Sequence, residues 1–262
     1  MIKNFDYNYH THTKRCGHAI NEDEEYIIHA IKSGVKTLGF SDHIPLIRED
    51  GTESKYRIPY NACQNYFDSL KELKVKLKDK IEILIGFEME YYEDYFDVML
   101  KTAKNFKAEY LILGQHFFTA EHKGGKYVLS PFIDKKDLIL YVNSVIKAME
   151  TGLFTYVAHP DIINFTINND FYINEMTRLL NKSKELNIPI EINLLGIREN
   201  RIYPNELFWK RAGEIGAPVV IGCDAHKAID VYEDKGIKKA FEMIKKYKLN
   251  YIGKPKLIRI NK

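Results

Sequence analysis

A chain of 262 residues with 45% apolar and 13% aromatic side chains carries enough core-forming material to exclude disorder. Its length suits a single α/β barrel, which typically takes roughly 250 residues. The 39 basic and 36 acidic residues are spread along the chain and leave a formal charge of +3, so charge makes no case for a nucleic-acid or membrane partner.

Three cysteines without a CxxC pair argue against a disulfide framework or a thiolate zinc site. The opening MIKNFDYNYH lacks the apolar stretch of a secretory signal, and no run nears the ~20 apolar residues of a membrane span. A reducing cytoplasm is the expected location. Nothing in the sequence marks an oligomeric state.

No repeat, low-complexity tract or flexible linker divides the chain, which reads as one domain over 1–262. The first β-rich run, FDYNYH, ends on His10, and the next residues place His10, His12 and His18 within nine positions. A capping box, Asn21 with Glu24, opens a helix over Glu22–Ser33. TLGFSDH follows and ends on His43. A helix over Asn61–Asp79, with Leu70, Leu73 and Leu77 at helical spacing, leads to IEILIGFEME, which ends on Glu88 and Glu90. A helix over Asp94–Lys107 precedes EYLILGQHF, with His116, and a helix over Asp134–Glu150 precedes FTYVAHP, with His159. Tyr172–Leu186, IPIEINLL, Asn205–Ile215 and APVVIGCDAH come next, the last run closing on Asp224 and His226. A final helix runs over about Asp230–Tyr247. The alternation predicts an α/β fold of about seven βα units around a parallel sheet.

In a parallel barrel the carboxyl ends of all strands share one face, where such folds keep their active sites. His10, His12, His43, Glu88, Glu90, His116, His159, Asp224 and His226 each follow an apolar run and are therefore expected to converge. Neutral imidazole and carboxylate are the ligands that Zn²⁺, Mn²⁺ and Fe²⁺ accept. In HTH and DAH, side chains two apart point to the same side of an extended chain, so one ion can be gripped by both. Seven of the nine histidines fall at strand ends or in the adjacent loops of this one face, which predicts a metal centre. The other two serve as controls: His29, among Ile27, Ile28 and Ile31 of the first helix, reads as structural, and His122, in TAEHKGGK, reads as a surface residue.

HTHTKRCGHA, SDHIPL, GFEME, GQHF, AHPD and GCDAH, in this order and spacing, resemble the polymerase and histidinol phosphatase (PHP) family. EINLLGIREN followed by YP is similar to the family's histidinol-phosphate phosphatase branch. The resemblance implies a distorted (β/α)7 barrel with a metal site of two or three divalent ions (Zn, Mn or Fe) at the C-terminal face of the strands. Carried over, His10, His12, Glu88 and Asp224 would hold one ion, His116 and His159 with a bridging Glu88 the second, and His18, His43 and His226 the third. Glu90 shares a strand face with Glu88, and only the alignment with the family favours Glu88 as the bridge. Two departures stand out: Gln115 precedes the fourth-strand histidine where the family often has a small residue, and NLLGIR replaces an NTSGLR-like segment, keeping Arg198.

A cluster of divalent ions suits phosphate monoester hydrolysis, because it lowers the pKa of a bridging water, holds the phosphoryl oxygens and offsets the charge that develops during in-line attack. Arg198 is the expected clamp on the substrate phosphate, since a guanidinium meets phosphate oxygens in a fork, with Arg201 and Arg57 behind it. Asp224 and His226 join Arg198 as candidate catalytic residues. The leaving alkoxide would be protonated by a metal-bound water, Asp224 or a histidine. The segment IPLIREDGTESKYRIPY, with Tyr56 and Tyr60, either lids the site or packs on the barrel rim. The resemblance implies hydrolysis of L-histidinol phosphate, a small-molecule ester, to L-histidinol and inorganic phosphate in histidine biosynthesis. The alternatives are another PHP phosphoesterase (a protein-tyrosine phosphatase or a nuclease) and a non-catalytic metal-binding accessory domain.

Overall fold

The computed structural model of the chain describes residues 5–47, 50–121 and 124–260. Strands β1 (Tyr7–Asn8), β2 (Thr37–His43), β3 (Glu82–Met89) and β4 (Leu111–Leu113) form a parallel sheet in that order. A second parallel sheet holds β5 (Ile190–Asn193), β6 (Pro218–Gly222) and β7 (Asn250–Tyr251).

Backbone bonds join the two sheets into a ring. Residues 155–158 run between β4 and β5: Thr155 N donates to Leu111 O at 2.8 Å, Leu113 N to Tyr156 O at 3.0 Å, and Glu191 N to Val157 O at 2.9 Å. On the far side Thr11 bridges Ala225, with His12 N donating to Ala225 O at 2.9 Å and Ala225 N to His10 O at 3.1 Å. Below that bridge side chains replace the ladder. The Tyr7 hydroxyl and the Asn8 amide oxygen accept from Ile221 N and Cys223 N at 3.2 and 3.1 Å. The buried amides of β6 thus stay paired although β1 does not lie alongside them, and the ring is distorted at this seam. β7 pairs with the amino end of β6, on the edge opposite β5. This is the distorted seven-stranded barrel that the sequence leads one to expect.

The helices α1 (Asp23–Lys32), α2 (Cys63–Lys76), α3 (Phe96–Asn105), α4 (Lys135–Glu150), α5 (Asn169–Leu186), α7 (Glu206–Ile215) and α8 (Asp234–Tyr247) match the expected helices to within a few residues. A short α6 (Leu194–Arg198) follows β5 directly and was not expected. The α1 cap also differs. Asn21 stands in the left-handed region (φ 76°), and the Glu25 carboxylate accepts from Glu22 N at 2.7 Å, so the capping box sits one residue later than Asn21 and Glu24. The Asn21 amide oxygen is taken by Ala228 N at 3.0 Å.

The strands are buried almost throughout, which is why they read as unbroken apolar runs. Tyr7, Tyr9, Tyr110 and Tyr156 are fully buried, and the Tyr110 hydroxyl reaches across to Tyr9 O at 2.8 Å and Phe40 O at 3.1 Å. The amino end of the barrel is crossed by residues 252–260. Ile252 N donates to Val219 O at 3.0 Å, Lys254 Nζ to Thr37 Oγ1 at 2.7 Å, and Ile258 N to Thr155 Oγ1 at 3.2 Å. The carboxyl end is left to the loops. Among the described residues no helix is long and apolar enough to cross a membrane.

Candidate metal centre

Glu88, on β3, stands at the centre of the carboxyl face. Its Oε2 is 3.5 Å from His10 Nε2, 3.5 Å from His12 Nε2 and 3.1 Å from His43 Nδ1; its Oε1 is 3.5 Å from His116 Nε2 and 3.0 Å from His159 Nε2. Asp224 Oδ1 is 3.5 Å from His10 Nε2, and 3.4 Å from both His12 Nε2 and His226 Nδ1. The ring of His18 lies 5.4 Å from that of His43 and 4.8 Å from that of His226, centroid to centroid. All nine side chains expected at the metal site come together. His10, His12, Glu88, His159 and Asp224 are buried; His43, His116 and His226 are half-buried, and His18 is exposed.

Buried His10 Nε2, His12 Nε2 and Glu88 Oε2 have no hydrogen-bond partner among the described residues. Interiors leave few polar atoms unpaired, so a convergent set of lone pairs fits a cation. Several such sets exist. Ligand atoms lie within 4.8 Å of one another in His10–His12–Glu88, in His10–His159–Asp224, in His43–Glu88–His116 and in His12–His43–His226, so the cluster fits more than one divalent ion.

The electrostatics agree. Burial alone would raise the Glu88 and Asp224 carboxyls; neighbouring imidazoles, His116 and His43 for Glu88 and His10 and His12 for Asp224, outweigh it and hold both well below the usual range. Burial opposes charge on His10 and His12, yet the facing carboxylates hold both well above the ordinary imidazole value. The face recruits positive charge, which a bound divalent ion supplies in place of those protons. His226 goes the other way, driven down to about 3 by burial and by His12; with Nδ1 donating to Asp224 O at 3.2 Å, the neutral ring keeps its Nε2 lone pair for an ion.

Behind the histidines stands a row of carboxylates. Glu191 Oε1 faces His10 Nδ1 at 2.9 Å, and its Oε2 accepts from His159 N at 3.1 Å and Asn193 Nδ2 at 2.9 Å. Asp42 Oδ1 lies 3.4 Å from His12 Nδ1, while Thr13 donates to Asp42 from its N (3.2 Å) and its hydroxyl. Glu90 Oε1 lies 3.2 Å from His116 Nδ1. Glu191 and Glu90 each take one imidazole nitrogen and leave the other for an ion, which fixes tautomer and ring orientation, while Asp42 faces His12 Nδ1 as an ion-pair partner without a hydrogen bond. Sequence reasoning missed Glu191 and Asp42. The available signal was an ionisable residue inside an apolar strand, as in IPIEINLL, where acids are rarely buried without a partner.

Glu88 and Glu90 are now separable. Glu88 faces the histidines, whereas Glu90 is gripped by Arg57, Nη1 to Oε2 at 2.6 Å and Nη2 to Oε1 at 2.8 Å. Room for Glu88 comes from Gly114, where an added Cβ would stand 1.8 Å from Oε1; Gly222 leaves the same room for Glu191, at 1.7 Å. His159 (φ 31°) and Asp224 (φ 48°) hold left-handed backbone that non-glycine residues rarely adopt, a cost met at functional sites when the surroundings enforce it.

A cavity of about 500 Å³ opens over the cluster, walled by Tyr56, Phe117, Tyr127 and Tyr203. Among the described residues its arginines are Arg57 and Arg201. Arg198, the expected phosphate clamp, does not line this cavity but the one beside it, together with His18, His226 and Arg201. Its Nη2 donates to Asp224 O at 3.2 Å and its Nε pairs with Asp230 Oδ1 at 3.4 Å, so it braces the strained turn at Asp224 and lines a smaller neighbouring cavity of about 400 Å³. Tyr56 stands beside His18, at 6.5 Å between centroids, and Tyr60 packs on Phe106 outside the cavity. His29 lies on α1 away from the cluster, as expected. His122 lies outside the described residues, as do Arg48 and Glu49 of the segment considered as a lid.

Comparison with known proteins bears on the same face. A Bacillus subtilis histidinol-phosphatase is 25% identical over 255 residues, covering 85% of this chain and 94% of its own. Among solved structures, the Lactococcus lactis histidinol phosphate phosphatase complexed with zinc, L-histidinol and phosphate superposes with a TM-score of 0.69 at 17% identity, covering 94% of this chain and 95% of that one. A metal-dependent tyrosine phosphatase structure from work on Bacillus subtilis and Streptococcus pneumoniae reaches 0.50 at 13% identity, covering 95% and 97%. At such identities these likenesses speak to the fold. The PHP domain pattern matches residues 8–194, from the first strand through β5, and takes in every expected metal residue except Asp224 and His226; the chain belongs to the PHP family.

Proposed function

We propose that the chain is a metal-dependent phosphomonoesterase that hydrolyses L-histidinol phosphate to L-histidinol and inorganic phosphate. The observation that carries the reaction class is the buried cluster around Glu88, whose unpaired His10 Nε2, His12 Nε2 and Glu88 Oε2 fit divalent ions. The substrate rests on the relatives named histidinol phosphatases.

His10, His12, Glu88 and Asp224 would hold one ion, His116 and His159 with Glu88 a second, and His18, His43 and His226 a third at the mouth. Such ions supply water activation and charge neutralisation for phosphoryl transfer. The protein's part is orientation. Asp224, held well below the usual carboxylate range by His10 and His12 and accepting from the Asn193 amide at 3.1 Å, would face the ions as a carboxylate. Arg201, exposed at the cavity wall with Nη1 on the Tyr203 hydroxyl at 3.0 Å, would meet the phosphate by exchanging its surface partner Glu199, whose Oε2 takes its Nε and Nη2 at 2.8 and 2.6 Å, and Arg198 acts through the Asp224 backbone. The aromatic wall suits a leaving group with a flat ring.

The test is phosphate release from L-histidinol phosphate beside a phosphotyrosine peptide and a short single-stranded DNA, with metal-replete and chelated protein. Chelator-sensitive turnover of histidinol phosphate far above the others is expected. Cleavage of another ester alone would keep the reaction class and sink the substrate; no cleavage of any would sink both.

A further inference from the structure

We propose that Arg57 is a positioning residue for the His116 side of the metal centre: it fixes Glu90, and Glu90 fixes the His116 ring. The proposal rests on the metal-centre reading and needs no particular substrate.

Arg57 is buried, with its side chain only 2% exposed, in the loop between β2 and α2. Its partners come from the segments that follow three successive strands: Ile44 O at 3.2 Å after β2, both Glu90 oxygens at 2.6 and 2.8 Å after β3, and Glu121 Oε1 at 2.9 Å in the loop beyond β4. Its charge is therefore matched by two carboxylates, which removes it as a phosphate clamp although it lines the cavity. Glu90 Oε1, the oxygen that accepts from Nη2, also faces His116 Nδ1 at 3.2 Å. With its proton on Nδ1, His116 turns its Nε2 lone pair toward Glu88.

The other two imidazole–carboxylate pairs are built differently. Glu191 is held by neutral donors, Asn193 Nδ2 and His159 N, and Asp42 by the Thr13 N and hydroxyl. Only Glu90, among these three, is set by a cation reaching in from a loop of the cavity wall. A bidentate guanidinium defines both the position and the plane of the carboxylate, which a point-charge ammonium does not.

The experiment compares Arg57→Gln, Arg57→Lys and the double variant Arg57→Gln/Glu90→Gln with the unchanged protein. Two quantities are read: ions retained per chain against a competing chelator, with the visible spectrum of the cobalt-loaded protein, and the Tm of the metal-free protein. Arg57→Gln leaves a buried carboxylate unmatched, so its Tm is expected to fall by roughly 6–10 °C. One class of ion should weaken by ~10–100-fold, the usual effect of losing an outer partner of a ligand. Arg57→Lys should fall between. The double variant should regain its Tm and still bind that ion weakly. Recovery of ion affinity together with Tm in the double variant would mean that Arg57 only balances charge, and would overturn the proposal, as would unaltered ion retention in Arg57→Gln. Unchanged protein that retains ions yet leaves histidinol phosphate intact would count against the proposed substrate alone.

Discussion

Gly114 shows how tightly single positions are set. A Cβ there would stand 1.8 Å from Glu88 Oε1, so Gly114→Ala must push aside the carboxylate that five histidines share. Overpacking of this kind costs about 1–3 kcal/mol, which a folded domain tolerates. The expected variant is folded by circular dichroism and loses ions to a chelator at least tenfold more readily; wild-type retention would show that Glu88 has other room. The strand-end histidines were legible at this scale because they follow apolar runs, and His18 because it lies in the loop next to His10 and His12. Glu191 was not, since the ring it orients, His10, is 181 positions away and no local pattern links them.

Among the elements, the loop after β1 sets the outermost ligand. A short helical turn, Lys14–Cys16, starts at Thr13 and ends on Gly17 in the left-handed region (φ 81°), which throws His18 back over His43 and His226. Because His18 is exposed while His10, His12 and Asp224 are buried, an ion at the proposed mouth position would be held least securely. His18→Ala is expected to lose about one ion per chain and to leave the deeper ligation and the Tm nearly unchanged, as elemental analysis and a thermal scan would report. Equal loss of every ion would show that the three positions fill as one unit. Helix existence was legible from spacing, and boundaries slipped where polar side chains chose among neighbours. At α1 either Asn21 or Glu22 suits a cap, and the bond from Ala228, a contact across the fold, draws Asn21 away. β7, at two residues, carries too little pattern to be read.

For the whole molecule, the two ends of the barrel divide the labour. Residues 252–260 close the amino end through Thr37, Thr155 and Val219, and Ile260 is buried there. The metal cluster occupies the other end. A chain cut after Tyr251 should melt several degrees lower, because a lost bond that leaves a buried partner unpaired costs about 1–3 kcal/mol. The ions retained per folded chain should not change. Coupled loss of stability and ions would show that the two ends communicate through the strands.

By itself, the sequence determined the alternation of strands and helices, the barrel class and the gathering of histidines and acids after its apolar runs, because period and residue type are local properties. Only the tertiary structure decided that Glu88 stands among five histidines while Glu90, held by Arg57, meets His116 from behind, that Arg57 is matched by two acids, and that Arg198 braces Asp224 while Arg201 reaches the cavity. Each of these depends on partners drawn from separate strands and loops, and a carboxylate or guanidinium takes its role from the charges that folding brings within about 3–4 Å of it.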